Sequence, residues 1–402
     1  MTLDLRSGAS WWLDRNPRPG DFPPLAEDLD CDVAVIGAGV TGALVALELA
    51  RAGVSVAVLD GRDAGRGSTA ASTALLLVET DTDFLELVDR IGSARAARAW
   101  RAGERAIDRL ERLAGELPWD VEFERRPVLY LASDRAGRKR LKDESIARRS
   151  AGFEGELVDG GRRGGLGTLP HALALRSSGG ALDPYRLTIA ALEEAARCGA
   201  TIRDRTKVRR IDASRDAVIL RTERGPRVRA GRLVVAAGYE SEALLGLDLG
   251  RLRTSYALVT EPLGTPIPGW PDGALVWETA RPYRYARPLA DGRLVVGGED
   301  THFAEDHRLR ARLERRARRL ERALARWLPE AEVETTTAWA GTFGESRDAL
   351  PWIGPVPGRP RVFAALGFGG NGITFAAIAA ELLAGALTRG GHQDLDLFAF
   401  AR

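Results

Sequence analysis

The sequence predicts an α/β fold (α+β overall), with a Rossmann-like domain and a second domain built on a mixed sheet. Residues 32–60 have the pattern of strand, glycine loop, helix and strand, and a second strand, glycine loop and helix begins at Val362. At 402 residues the chain exceeds what one hydrophobic core usually supports, so two domains are expected.

The stretch "DVAVIGAGVTGALVALELARAGVSVAVLD", residues 32–60, has the pattern of a dinucleotide-binding unit. Gly37 is expected to make the tight turn, Gly39 to let the backbone approach a pyrophosphate, and Gly42 to let the helix pack closely on the strand. The helix N-terminus then offers amide groups and a positive dipole end to phosphates. Asp60 is placed to accept hydrogen bonds from a ribose diol, which disfavours NADP and leaves NAD and FAD open.

Further strands and a helix are expected in the middle of the chain. Asp183 and Pro184 have the pattern of a helix start, and Gly199 that of a helix end. Strands are expected in "TIRD", "VRRI", "AVILRT" and "GRLVVAAGYES". The last strand ends in small residues at Ala237 and Gly238, which let another group approach the backbone.

Composition argues against several other classes of protein. The formal net charge is only +2, so the overall charge gives no reason to expect nucleic acid or an acidic membrane as a partner. No membrane span and no secretory signal are expected, and a cytoplasmic protein is the simplest interpretation. Two cysteines, Cys31 and Cys198, cannot make a disulfide framework. No metal is expected, because the four histidines show no metal-binding spacing: His171, His302, His307 and His392.

Several motifs, taken in order, resemble the D-amino acid oxidase-like (DAO) superfamily of FAD-dependent oxidoreductases. They are "VIGAGVTG", "GRGSTAASTALL" (65–76), "DPYRL", "VVAAGYES", "DGRLVVGGED", "LPWIGP" and "GFGGNGITF" (367–375). The resemblance runs from about Trp11 to near the C-terminus and is nearest the gamma-glutamylputrescine oxidase, glycine oxidase and sarcosine oxidase branches. It implies oxidation of the C–N bond of a small amine or amino acid by hydride transfer to flavin N5, giving an imine that hydrolyses.

The resemblance also implies which segments surround the FAD. Loop 65–76 would run beside the pyrophosphate and the flavin edge, and the helix after loop 367–375 would direct its positive end at the flavin. The residues expected to contact FAD are Gly37, Gly39, Val40, Thr41, Gly42, Asp60, Gly61, Arg62, Gly67, Ser68, Thr69, Ala71, Ser72, Val208, Ala237, Gly238, Gly369, Gly370, Asn371, Gly372, Ile373 and Thr374.

The substrate pocket is expected in the aromatic segments of the second domain. The candidates for catalytic or pocket residues are Tyr283, Tyr285, Trp339 and Asp300. Aromatic walls favour an alkylammonium group, and Asp300 or Glu299 could anchor a cationic nitrogen. Dioxygen or another electron acceptor would reoxidise the flavin.

Three departures from the family pattern narrow the function. Neither cysteine lies in the C-terminal flavin segment, so non-covalent FAD is expected. The usual carboxylate-binding arginine is missing, since its place falls near Phe343, and Thr374 stands where sarcosine oxidase-like relatives have a lysine. These gaps favour an amine over an α-amino acid, unless one of three nearby arginines binds the carboxylate: Arg281, Arg284 or Arg287.

The expected domains are discontinuous. Ranges 31–80, 150–245 and 340–402 form the FAD-binding domain, 81–149 and 246–339 the substrate-binding domain, and 1–30 an N-terminal extension. Two alternatives stay open from the sequence: an NAD-dependent dehydrogenase using the first glycine loop, and an RNA-binding or RNA-modifying flavoprotein using the arginine-rich helix expected in 306–330. That helix carries one apolar stripe, which favours packing on a sheet over RNA binding.

Overall fold

The computed structural model describes residues 6–16, 22–79, 82–159, 173–303 and 309–402. The loop expected at glycines 160–167, His171 and His307 lie outside these ranges. The helices are α1 (Trp11–Arg15), α2 (Val40–Arg51), α3 (Phe84–Ile91), α4 (Ser93–Glu116), α5 (Arg135–Ser150), α6 (Pro184–Arg197), α7 (Glu240–Leu245), α8 (Leu309–Trp327) and α9 (Gly372–Thr388), with 3-10 turns at Ser68–Ala71 and Leu395–Phe398.

The strands in the described ranges form two sheets. They are β1 (Arg6–Gly8), β2 (Leu29–Ile36), β3 (Val56–Leu59), β4 (Leu75–Leu76), β5 (Glu124–Leu131), β6 (Glu156–Asp159), β7 (Leu173–Ala181), β8 (Thr201–Arg203), β9 (Val208–Ala213), β10 (Val218–Thr222), β11 (Arg227–Val235), β12 (Arg251–Thr260), β13 (Leu275–Glu278), β14 (Arg284–Pro288), β15 (Leu294–His302), β16 (Thr335–Glu345), β17 (Trp352–Pro355) and β18 (Val362–Leu366).

The first sheet is the Rossmann-like sheet that the sequence predicts. Its parallel strands run in the order β8-β3-β2-β11-β18, and β17 is antiparallel at the edge beside β18. Strands β9 and β10 extend it as an antiparallel hairpin on β11. The predicted first strand, helix and second strand are confirmed as β2, α2 and β3.

Side chains alternate between the two faces of this sheet along its parallel strands, and both faces are buried. Val33 and Val35 point into one core, which contains side chains of α2, α6 and α9. Ala34 and Ile36 point into a second core with the β9–β10 hairpin. Such near-continuous apolar strands are typical of a parallel sheet that is covered on both sides.

The second sheet is mixed, as the sequence predicts, and has the order β1-β16-β12-β15-β14-β13-β5-β7-β4, with β6 paired to β7. Helix α8 packs on β12, β15 and β16, and its stripe residues Leu320 and Leu324 are buried there. Strand β7 belongs to this second sheet. Its residues lie in the range 150–245, which was expected to belong to the FAD-binding domain, so the sheet and the expected domain range differ at this segment. The division into domains stays a prediction.

The N-terminal segment is an integral part of both the second sheet and the core. Strand β1 pairs with β16, and Trp12 of α1 is completely buried. Across the described ranges, no helix combines the length and the apolar character that a membrane crossing requires.

Candidate active site

A cavity of about 470 Å³ lies between the two sheets. Its floor is the carboxyl end of the parallel strands, reached at Ile36 of β2, Leu59 of β3 and Leu366 of β18. Its roof is formed by β12, β14 and β16 of the second sheet. The carboxyl edge of an open parallel sheet is the usual place for ligands in such folds, and this cavity is large enough for an extended one.

The first glycine loop forms one end of the cavity. An added Cβ at Gly42 would lie 1.7 Å from the carbonyl oxygen of Gly37, so only glycine allows α2 to pack this closely. The amide of Val40 donates to Thr69 Oγ1 at 3.0 Å. The N-cap residue Gly39 supplies no side-chain cap, which leaves the start of α2 directed at the cavity.

Asp60 is fixed at the end of β3 by two backbone donors. Its Oδ2 accepts from the amide of Ala38 at 2.7 Å, and its Oδ1 accepts from the amide of Arg62 at 2.8 Å. Burial raises the pKa of Asp60 to about 6, and these two hydrogen bonds oppose the shift. A buried acceptor held in this way suits the hydroxyl groups of a ribose.

Three further residues at this end were missed by the sequence analysis. Lys207, Tyr239 and Glu240 line the cavity. Glu240 forms an ion pair with Arg62 at 2.5 Å, so Arg62 is held across the cavity wall from 178 residues away. The only indication in the sequence was that these three residues lie within two positions of the predicted residues Val208 and Gly238.

Loop 68–73 is held by hydrogen bonds to four successive carbonyl groups. Ser10 Oγ donates to the carbonyl of Ala70, and Trp339 Nε1 donates to that of Ala71 at 2.9 Å. Trp12 Nε1 donates to the carbonyl of Ser72 at 2.7 Å, and Arg287 Nε donates to that of Thr73 at 2.7 Å. Donors from three distant segments therefore fix the loop against the cavity.

The second glycine loop closes the cavity opposite the first. Gly369, Gly370, Gly372 and Ile373 line it, and a Cβ added at Gly372 would meet no atom within 4 Å. Helix α9 begins here, and its N-cap residue Asn371 makes no capping hydrogen bond. Asn371 Nδ2 instead donates to the carbonyls of Leu77, at 2.9 Å, and of Glu79.

The two helices that begin at the cavity, α2 and α9, differ from three other helices in their N-terminal capping. Helices α3, α5 and α6 are capped by the side chains of Asp83, Asp134 and Asp183. The starts of α2 and α9 have no such cap. The first amide of α2, that of Val40, is taken up by Thr69 Oγ1. A helix start whose N-cap residue supplies no side-chain acceptor suits an anionic group, so the cavity fits a ligand with negative charge near both places.

Most residues expected to contact FAD line this cavity, and three do not. Gly42 lies behind the loop, where it allows close packing. Asn371 faces a smaller neighbouring cavity. Thr374 donates through Oγ1 to the carbonyl of Leu77 at 3.2 Å. The residues that line the cavity are Gly37, Gly39, Val40, Thr41, Asp60, Gly61, Arg62, Gly67, Ser68, Thr69, Ala71, Ser72, Val208, Ala237, Gly238, Gly369, Gly370, Gly372 and Ile373.

Aromatic side chains form the other end of the cavity. Tyr283, Tyr285, Trp339 and Phe343 line it, and the rings of Tyr283 and Tyr285 lie 5.8 Å apart. A Cβ added at Gly297 would lie 2.4 Å from the Tyr285 ring, so this glycine lets the ring lie on the sheet. The predicted candidates Tyr283, Tyr285 and Trp339 are thus brought together.

Asp300, the fourth candidate, lies behind this aromatic wall. It is not among the described residues that line the cavity. Burial raises its pKa to about 6, and hydrogen bonds with Ser255 and Tyr283 oppose the shift. Both of those partners line the cavity. Asp300 therefore contacts two residues of the pocket wall without lining the cavity itself. Glu299 forms ion pairs with Arg284, at 3.0 Å, and with Arg316, at 2.7 Å.

The three arginines considered for a substrate carboxylate have different surroundings. Arg284 pairs with Glu278 at 2.9 Å and with Glu299. Arg287 donates to two backbone carbonyls, and burial lowers its pKa to about 10. Arg281 is exposed and lies over the Tyr283 ring at 5.3 Å. Neither Arg284 nor Arg287 is available to a ligand without breaking these contacts.

A Rossmann-like sheet, two helix starts whose N-cap residues supply no capping side chain, a fixed acid and a second sheet as a roof define the class of dinucleotide-binding proteins. The chain belongs to the DAO family, FAD dependent oxidoreductase, whose family model matches residues 32–386. Its cofactor is therefore FAD, and it is an FAD-dependent oxidoreductase. The residues present fit that group, since the cavity offers uncapped helix starts to a pyrophosphate and a fixed carboxylate to a ribose.

Individual relatives cover nearly the whole chain. It is 26% identical to the "Probable oxidoreductase OrdL" of Rhizobium meliloti (strain 1021), over 98% of this chain and 91% of that protein. It is also 26% identical to the gamma-glutamylputrescine oxidoreductase of Escherichia coli (strain K12), over 94% of this chain and 88% of that protein. The crystal structure of glycine oxidase from Geobacillus kaustophilus shares the fold, with a TM-score of 0.80 at 22% identity over 93% of this chain and 99% of that one.

Proposed function

We propose that the protein oxidises the C–N bond of a small amine with non-covalently bound FAD. The observation that carries this proposal is a cavity in which both glycine loops meet an aromatic wall. The arginines in its described lining, Arg62 and Arg209, are paired with Glu240 and Glu223. Relatives named for gamma-glutamylputrescine and for glycine support an amine or amino acid as the substrate class.

When bound, FAD would supply a two-electron acceptor for the hydride on the carbon beside an unprotonated amine, and loss of that hydride would leave an imine for water to hydrolyse. The chain has three tasks. The start of α9 stabilises negative charge that develops nearby, because its amides are not capped. Loop 68–73, held at four carbonyls, keeps its geometry without reorganisation.

The aromatic wall performs the third task, which is to orient the substrate and exclude water. Tyr283 and Tyr285 both line the pocket, with their ring centroids 5.8 Å apart. Such walls attract an alkylammonium and accommodate its neutral form. Asp300, through Tyr283, holds one of these rings in place.

The lining of the main cavity contains no cysteine or histidine among the described residues. Cys31 lies on β2, and burial raises the pKa of its thiol to about 12, which makes it a poor nucleophile. Cys198 follows α6 and is exposed. These placements support non-covalent attachment.

The proposal is tested by mixing the FAD-loaded protein anaerobically with a panel of amines and amino acids. Bleaching of the flavin absorbance by at least one primary or secondary amine is expected. An absence of bleaching across the panel, with intact flavin bands, would overturn it. Reaction of α-amino acids alone would instead show that a carboxylate is required and that an arginine binds it.

A further inference from the structure

A second cavity of about 60 Å³, here called the side cavity, adjoins the main one. Ser72, Thr73, Tyr283 and Tyr285 line both, so a ligand in the main cavity can extend into the side cavity. A cavity needs about 10–15 Å³ to hold one water molecule, so the side cavity has room for a group of a few heavy atoms.

Glu79 forms part of the side-cavity wall. Its side chain is only 1% exposed, and its Oε1 accepts from Arg148 Nη1 at 2.7 Å and from Ser177 Oγ at 3.1 Å. Its Oε2 has no hydrogen-bond partner among the residues that the structure describes. A buried carboxylate oxygen without a partner is costly, so this oxygen is a strong acceptor for a donor in the cavity.

The charges around Glu79 favour a cation over a neutral donor. Arg148 is buried and is shared between Glu79 and Glu144, whose Oε1 lies 2.6 Å from Arg148 Nε. Two carboxylates therefore face one guanidinium. Glu144 has further compensation, because its oxygens accept from the amides of Phe84 and Leu85 at the start of α3. Of these two carboxylates, Glu79 is thus the one that has an oxygen without a hydrogen-bond partner among the described residues and that lines the side cavity.

The position of Glu79 is fixed by the proposed flavin site. Its backbone carbonyl accepts from Asn371 Nδ2 at the start of α9. Aromatic rings of Trp277, Tyr283 and Tyr285 form much of the remaining wall. Ring faces and a buried carboxylate together are suited to an ammonium group.

We propose that the side cavity binds a second, positively charged nitrogen of the substrate through Glu79, so that the preferred substrates are diamines. This inference rests on the proposed function, in which the other nitrogen belongs to the C–N bond that is oxidised. Arg281 also lines the side cavity, but its side chain is exposed and its charge is screened by water. The buried charge of Glu79 is screened much less.

The test compares butylamine with 1,4-diaminobutane on the full-length, FAD-loaded protein kept anaerobic. Affinities are read from the rise of the unfolding midpoint with ligand concentration, which does not depend on turnover. In the wild-type protein we expect the diamine to bind about tenfold more tightly or better, as for a charge-assisted hydrogen bond. Glu79→Gln is expected to bring the two affinities to within about twofold.

Glu144→Gln is the matched control, because it removes a charge from the same buried network without altering the side-cavity wall. It is expected to retain the preference for the diamine. Equal binding of the two ligands by the wild-type protein would overturn the inference even if Glu79→Gln fails to fold, and so would a preference that survives in Glu79→Gln. Failure of both amines to bleach the flavin would instead count against the proposed function, since binding is measured separately.

Discussion

The two ends of the main cavity are built in different ways. At the first glycine loop, Gly37, residues 39–41 and Asp60 form the wall, and they lie within one continuous unit of the chain. At the aromatic end, side chains come from β14 and β16, which are separated by the whole of β15 and α8. The first glycine loop therefore depends on local geometry, whereas the aromatic end depends on the register of distant strands.

The largest effect is expected at the first glycine loop, from Gly42→Ala. The added Cβ would lie 1.7 Å from the carbonyl oxygen of Gly37, so α2 must move away from β2. We expect a loss of roughly 3 kcal/mol or more in the free energy of unfolding and little bound flavin, measured by urea denaturation and absorbance.

Gly115→Ala is the matched control for this change. Gly115 also lies inside a helix, α4, and an added Cβ there meets no atom within 4 Å. It is expected to keep its flavin and to gain up to about 1 kcal/mol from helix propensity. Equal stability of the two variants would show that close packing at Gly42 does not support the first glycine loop.

The next prediction concerns Asp60 and Asp300, two aspartates that lie at opposite ends of the cavity. Burial raises the pKa of each to about 6. FAD binding requires the charged form of Asp60 if this group accepts from the ribose. Below a pH of about 6 the FAD dissociation constant should therefore rise by up to about tenfold per pH unit. Fluorescence titrations of the apoprotein with FAD at several pH values measure this.

Substitutions at the two aspartates assign the pH dependence. Asp60→Asn should weaken FAD binding at neutral pH and remove its dependence on pH in this range. Asp300→Asn should keep that dependence, because Asp300 contacts Ser255 and Tyr283 at the aromatic end. A pH dependence that survives in Asp60→Asn would contradict the role of Asp60.

A smaller effect is expected from Trp12→Phe, which tests how the flavin loop is held. The change keeps an aromatic ring but removes the donor to the Ser72 carbonyl. A half-buried carbonyl left without its donor should cost about 1–2 kcal/mol of unfolding free energy. Trp11→Phe serves as the control, since the indole nitrogen of Trp11 has no partner among the described residues. If thermal or urea unfolding gives equal losses for both, the hydrogen bond to loop 68–73 is unimportant.

The smallest effect is expected from Arg281→Ala at the aromatic end. Arg281 is exposed, and its guanidinium contacts the Ala280 carbonyl and lies over the Tyr283 ring. With an amine substrate we expect kcat/KM to change by less than about threefold, because exposed charges contribute little. A much larger loss, confined to substrates that carry a carboxylate, would identify Arg281 as the carboxylate-binding residue.

The same difference between the two ends explains what the sequence could predict. Strand β2, helix α2 and strand β3 were predicted because their apolar period, glycines and acid all lie within residues 32–60. The start of α6 was predicted from Asp183 and Pro184, and the structure shows the Asp183 side chain accepting from two amides of the first turn. The packing of α8 followed from its apolar stripe.

Contacts that join distant segments could not be predicted in this way. The sequence gives no sign that Ser10 and Trp12 hold a loop 60 residues further along, or that Glu240 pairs with Arg62. The burial of Glu79 against Arg148 depends on how α5 packs against the segment after β4. Each of these contacts is decided by tertiary packing, for which a single sequence carries no periodic signal.

Enclosure of one non-covalently bound flavin by both glycine loops is tested most directly by the absorbance spectrum of the purified full-length protein before and after acid precipitation. We expect flavin bands that move into the supernatant. Bands that stay with the pellet would contradict non-covalent binding, and a protein that shows no bands even after addition of FAD would contradict the assignment of the cavity.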